Sequence, residues 1–197
     1  MEKGIVPCPG IDTDARWGHS HTKGWIFGYK LHLTCTTGEL VVPLTADVTT
    51  ANVQDNQTYV PLTSYSSIFS LPSALYMIAD PGYDDKKLYE YSKKALGMDL
   101  VCPLERYEYT SKKRLDLVCF YQSVLGQAIY NRRRISVEPL IEHIKSVFRI
   151  DPLPTRGLHK VSAIVLLSVL LYQLMVYYNC KTEKINPKSI KYMLGTC

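Results

Sequence analysis

Leu75-Tyr76-Met77-Ile78-Ala79-Asp80-Pro81-Gly82 decides the fold. It is a short, nearly continuous apolar run that ends in a carboxylate and is stopped by Pro-Gly. That pattern predicts a strand buried on both faces of a sheet. A carboxylate at the C-terminal end of such a strand stands at the rim where open α/β folds bind ligands. The plainer role for Asp80 is to open the turn at Pro81-Gly82.

Upstream, Phe27, Tyr29, Leu31 and Leu33 alternate with Gly28, Lys30, His32 and Thr34, so Trp25 to Cys35 is expected to be a strand. Thr36-Thr37-Gly38 turns the chain, and Leu40 to Val48 returns as its hairpin partner. Residues 1–24, rich in Gly, Pro, Asp and Thr, read as loop. Asp55-Asn56 caps a helix over 56–68, limited by Pro61. Downstream, Asp84 caps a helix to Leu96 with Gly97 as its stop, and Asp99 to Leu104 makes another strand. Helices follow over 117–129, 134–149 and 161–178, and the polar residues 180–197 are expected to fray. The order predicts an α/β domain: one mixed sheet, antiparallel at one side and parallel beside it, flanked by helices. The division expected is 1–178 as one domain and 179–197 as a polar tail.

The chain has 197 residues, 46% hydrophobic and 21% charged, which excludes disordered and low-complexity classes. Six cysteines, at 8, 35, 102, 119, 180 and 197, form no CxxC pair, and no signal peptide is visible, so a cytoplasmic protein with reduced thiols is expected. The net charge of +5 is unevenly spread. Residues 1–100 carry 8 basic and 11 acidic side chains, whereas residues 101–197 carry 15 and 7. Clusters at Lys112-Lys113-Arg114 and Arg132-Arg133-Arg134 suit either a polyanion or a solvated face. Residues 161–178 reach the lower length of a membrane span, but Tyr172, Gln173, Tyr177 and Tyr178 favour a packing helix and no membrane partner.

A second carboxylate signal lies in Arg134, Glu138, Glu142 and Lys145, whose spacing puts them on one stripe of a helix. Leu140, Ile141, Ile144, Val147 and Phe148 cluster on a separate face. Pro139 fits only near the helix start, with Ser136 as the cap. Alone, the stripe is a surface helix with weak ion pairs. Together, an Asp on a strand and a Glu on a helix can converge on hard cations such as Mg²⁺. Two such ions activate a water or hydroxyl and stabilise the leaving oxygen in phosphodiester cleavage. His19 and His21 with Cys8 or Cys35 lack the spacing of a structural zinc site.

Four blocks occur in order: Phe27-Gly28-Tyr29-Lys30-Leu31-His32-Leu33, Ala46 to Asp55, Ala79-Asp80-Pro81-Gly82-Tyr83-Asp84, and Arg134-x3-Glu138-x6-Lys145. They resemble the "GYK(L/I)H", "vTpAN-x-x-D", "aD-x-GY" and "Y-x-x-R-x-x-x-E-x6-K" blocks of DDE transposases of bacterial insertion sequences, over about residues 11 to 175. The resemblance implies a ribonuclease H-like core that cuts and joins DNA at transposon ends with Mg²⁺ or Mn²⁺, as a homodimer in its DNA complex. It implies Asp80 and Glu138 as the second and third catalytic, metal-holding carboxylates. Arg134 and Lys145 would then lie near the DNA end, with Arg132 and Arg133 as further DNA-binding residues. Tyr130 lies four residues before Arg134, where the pattern has three. The first carboxylate of the family sits on a central strand before the hairpin. Asp12 and Asp14 belong to a segment resembling the "DTDA(R/H)W" loop after that strand. The expectation is therefore a truncated chain that lacks the first strand and first Asp, with Asp14 or Asp12 as weak substitutes and nearly all activity lost. The competing functions are a non-catalytic DNA-binding remnant and a membrane or partner-interaction protein.

Overall fold

A computed structural model describes residues 10–20, 24–66, 74–104, 116, 119–182, 186 and 189–193. The basic cluster Lys112-Lys113-Arg114, Cys8, His21 and the first part of the helix expected from 117 lie outside the described residues.

Three strands open the fold: β1 (Arg16–Ser20), β2 (Gly24–Cys35) and β3 (Pro43–Thr50). β2 is long enough to serve two partners. Its first half pairs antiparallel with β1, Trp17 opposite Phe27 and His19 opposite Trp25. Its second half pairs antiparallel with β3, Leu31 opposite Val48 and Leu33 opposite Ala46. The expectation of loop over residues 1–24 is thus corrected at Arg16–Ser20. These residues form a strand because their partners on β2 supply the ladder and two cross-strand ring contacts, which local composition does not reveal.

Helix α1 (Asp55–Ser66) follows, with Pro61 inside it, and then β4 (Tyr76–Ile78). A 3₁₀ turn at Pro81–Tyr83 leads to α2 (Lys86–Tyr91). The cap of α2 is Asp85, whose side chain accepts from the Lys87 amide at 2.8 Å, one residue later than expected. A π turn over Ser92–Leu96 ends at Gly97, whose φ of 67° is the left-handed conformation that closes a helix cheaply only at glycine. β5 (Asp99–Val101) then runs parallel to β4. The apolar run is half-buried, and its side chains alternate. Tyr76 and Ile78 pack with Val101, Ile129 and Tyr130, while Met77 packs with Tyr59, Ala79, Leu88 and Leu100.

The strands therefore form two sheets, β1-β2-β3 and β4-β5, rather than the single mixed sheet expected. Among the described residues no strand bonds to both β2 and β4.

The second half is helical: α3 (Val124–Asn131), α4 (Val137–Phe148), α5 (Leu158–Thr182) and α6 (Ile190–Met193). α4 begins at Val137, so Arg134 lies before the helix and the stripe Arg134-Glu138-Glu142-Lys145 is not one helical face. Pro139 falls in the first turn, where its missing N–H costs nothing. Ser136 is at the cap position, but its hydroxyl bonds back to the Arg132 carbonyl at 2.7 Å instead of capping.

The main core lies between the β2–β3 hairpin and α4 and α5, with Val48, Leu140, Ile144, Ile150, Val161, Val165, Val169, Tyr172 and Val176 buried. Gln173 donates to the carbonyls of Pro43 and Leu44 (2.8 and 3.1 Å), which pins α5 to the start of β3. α5 is long and apolar enough to cross a membrane, and a third of its apolar window is buried here. Its packing role thus covers one face, while Leu167, Leu170, Leu171 and Leu174 are exposed. The helix runs to Thr182, past the expected boundary at 178, and Ile190 is fully buried against the same core.

Candidate active site

Asp80 follows β4 and precedes the Pro81–Tyr83 turn, whose backbone it closes by accepting Tyr83 N–H at 2.9 Å. Its carboxylate makes no cap hydrogen bond. It is directed instead to the guanidinium of Arg133, with Nη1 on Oδ1. The other terminal nitrogen of the same guanidinium, Nη2, holds Glu138 Oε1 at 2.9 Å. One cation thus gathers two carboxylates, one from a strand end and one from the first turn of α4.

Arg133 sits in the turn between α3 and α4, where Arg133 N–H to Tyr130 O and Arg134 N–H to Asn131 O continue the helical winding for one further turn. Its guanidinium carbon stands 5.6 Å from the ring centroid of Tyr130, a cation–π arrangement on a buried ring. Only 19% of the Arg133 side chain is exposed, against 47% for Asp80 and 54% for Glu138. Its Nε is buried without a hydrogen-bond partner. Burial pushes the Asp80 carboxyl above the ordinary carboxylate range. Arg133 opposes that shift, and the carboxylates of Glu138 and Asp55 add to it.

Asp55 is the third acid in this neighbourhood. It opens α1, pairs with Lys30 Nζ at 3.0 Å, and places Oδ2 within 3.0 Å of where a Cβ on Gly82 would stand. Lys30 also donates to the Val53 carbonyl at 3.0 Å. Below it His32 is buried between two threonines, with Nε2 2.8 Å from Thr49 Oγ1 and Nδ1 3.2 Å from Thr58 Oγ1. Burial lowers its pKa, so the imidazole is neutral near pH 7. It ties β2 to β3 and α1.

The remaining residues singled out from the sequence lie elsewhere. Arg132 and Arg134 are exposed on the turn before α4. Lys145 pairs with Glu142 at 3.4 Å and Asp151 at 3.6 Å. Asp12 and Asp14 serve the start of α5: Asp12 Oδ2 accepts from Gly157 N–H at 2.9 Å, and Asp14 Oδ2 from Leu158 N–H at 3.0 Å. Asp12 also accepts from the Tyr29 hydroxyl at 2.7 Å. Loss of solvent raises its pKa, but hydrogen bonds from Gly157, Tyr29, Asp14 and Ala15 outweigh that and leave it lowered. The charges acting on Asp80 are Arg133, Glu138 and Asp55, with neither Asp12 nor Asp14 among them.

The two carboxylates and the guanidinium between them carry a net charge of −1, and a divalent cation such as Mg²⁺, which binds through one or two carboxylates and keeps its waters, would have to displace Arg133 from them. Among the described residues no group of three or more His, Cys, Asp or Glu side chains converges as a metal site. Sequence reasoning placed Arg133 among the DNA contacts and did not see it as the bridge. The available signal was Tyr130-x-x-Arg133, which has the family's tyrosine–arginine spacing that Arg134 lacks. Asp55 closes the second block, where its local sequence signals only a helix cap.

A family model described as a transposase DDE domain matches residues 5–174. No curated protein and no solved structure matches the chain.

Proposed function

The chain belongs to the transposase DDE domain family, and from that premise we propose that it cuts and joins phosphodiesters at transposon ends with Asp80 and Glu138 as its metal-holding carboxylates. The convergence of both on one guanidinium carries this reading. A ribonuclease H-like core is part of it, supported by the antiparallel strands, the parallel β4–β5 pair and the carboxylate at the end of β4.

Asp80 and Glu138 would hold Mg²⁺ or Mn²⁺, which when bound polarises the phosphate and activates the attacking water or hydroxyl. Arg133 keeps the two carboxylates at one spot and limits their mutual repulsion. Arg132 and Arg134, which are exposed on the same turn, would meet phosphate oxygens. A second copy of the chain in the DNA complex also belongs to this reading. The exposed leucines of α5 support it, since large apolar faces mark interaction sites.

End-containing DNA with Mg²⁺ or Mn²⁺ is the direct test. Asp80→Asn and Glu138→Gln should each abolish cleavage while leaving DNA binding in place. Cleavage that survives in both variants would remove the assignment. Salt-sensitive, metal-independent binding without any cleavage would favour the non-catalytic reading. That reading draws on the described residues, among which no three or more His, Cys, Asp or Glu side chains converge as a metal site.

A further inference from the structure

Both tryptophans of the chain, Trp17 and Trp25, lie on the β1–β2 hairpin. The register puts Trp17 opposite Phe27 and His19 opposite Trp25. Side chains two apart on a strand share a face, so these four rings form one ladder. The ring centroids of Trp17 and Phe27 are 5.2 Å apart, and those of His19 and Trp25 are 5.3 Å apart. Trp17 is 60% exposed, Trp25 70% and Phe27 41%. The opposite face is the anchored one. Gly18 is buried there, so close to the Ala51 carbonyl that a Cβ would lie 2.1 Å from its oxygen. The hairpin is therefore held against the body on its glycine side and turns its aromatic side outward.

Large aromatic rings left in water are costly unless something covers them. Charge narrows the choice of partner. Residues 16–28 contain Arg16, Lys23, His19 and His21 and no acidic residue, within a half-chain that is net acidic. Aromatic platforms flanked by cations without acids are the combination that binds single-stranded nucleic acid, through base stacking and phosphate attraction. Successive rungs of the ladder stand about 7 Å apart along a strand. That is about twice the 3.4 Å repeat of a nucleic-acid strand, enough to seat one base between two rings.

We infer that the outward face of the β1–β2 hairpin, Trp17, His19, Trp25 and Phe27, is a stacking platform for unpaired bases of DNA. This rests on the reading of the chain as a DNA-processing protein and adds the surface that takes single-stranded substrate.

The full chain offers its own probe, because all tryptophan emission comes from this face. Titration with a twenty-nucleotide oligo-dT at low salt should quench that emission. Trp17→Ala and Trp25→Ala should each weaken oligo-dT binding about ten-fold relative to duplex binding, read by anisotropy of labelled DNA. Trp17→Phe and Trp25→Phe should recover most of the loss, and circular dichroism would verify that each variant folds. Binding of DNA with unchanged emission and unchanged preference in the alanine variants would overturn the platform while leaving the DNA-processing reading intact. Absence of binding to any DNA at low salt would remove both. Emission that responds to anionic phosphatidylserine vesicles and not to oligo-dT would assign the face to a membrane and overturn the inference.

Discussion

His32 shows how a single side chain sets the pH range of the fold. Its Nε2 lies 2.8 Å from Thr49 Oγ1 and its Nδ1 3.2 Å from Thr58 Oγ1, and Thr58 also donates its hydroxyl to the Asp55 carbonyl at 2.8 Å. Burial disfavours a second proton on the imidazole. With its folded pKa below the unfolded value of 6.5, the unfolded state binds the proton first as pH falls. The contribution of neutral His32 is complete above 6.5 and is lost as pH drops from there toward the lowered folded value. Urea midpoints should therefore decline from pH 7 to pH 5, and His32→Gln should flatten that decline. An equal slope in the variant would place the acid sensitivity elsewhere. Asp80 works in the other sense: its raised pKa means that ionisation costs the folded state, so rising pH from the unfolded value of 3.8 through the raised folded value lowers stability.

Elements with a strong local pattern were legible in the sequence. The alternation of Phe27, Tyr29, Leu31 and Leu33 matches β2, and the run from Leu75 to Asp80 contains β4 with the carboxylate just beyond it. What was illegible depends on partners distant in the chain. Arg16–Ser20 has no strand period of its own and is ordered by the aromatic rungs of β2. The range 134–149 begins three residues early because Arg134 completes a plausible stripe, whereas the expected cap at Ser136 matches the start at Val137, and residues 132–136 form a turn that swings Arg133 inward. Gly18 belongs to this scale also. Its lack of a side chain lets β1 lie on the loop after β3, so Gly18→Ala forces a collision with the Ala51 carbonyl. A loss of about 1–3 kcal/mol in chemical denaturation is expected. A variant as stable as the parent would mean that β1 is not seated as described.

At the scale of the whole molecule, the helix that backs the core begins under the control of the first described residues. Asp12 and Asp14 accept the amides of Gly157 and Leu158, unpaired donors at the start of α5, and the Tyr29 hydroxyl joins them. Negative charge at a helix N-terminus is also favourable to the backbone dipole. Asp12→Ala should cost about 1 kcal/mol of stability, measurable as a lowered urea midpoint, and no loss would mean the contact is ornamental.

The separation of that contact in sequence has a temporal consequence. Asp12 and Gly157 are 145 residues apart, and a ribosome adding about 5–20 residues per second needs roughly seven to thirty seconds to pass from one to the other. Throughout that interval the leading segment has no helix to fasten, and closing so large a loop is among the last steps open to the chain. The clasp therefore acts as a late latch, and its removal should hasten unfolding far more than it slows folding.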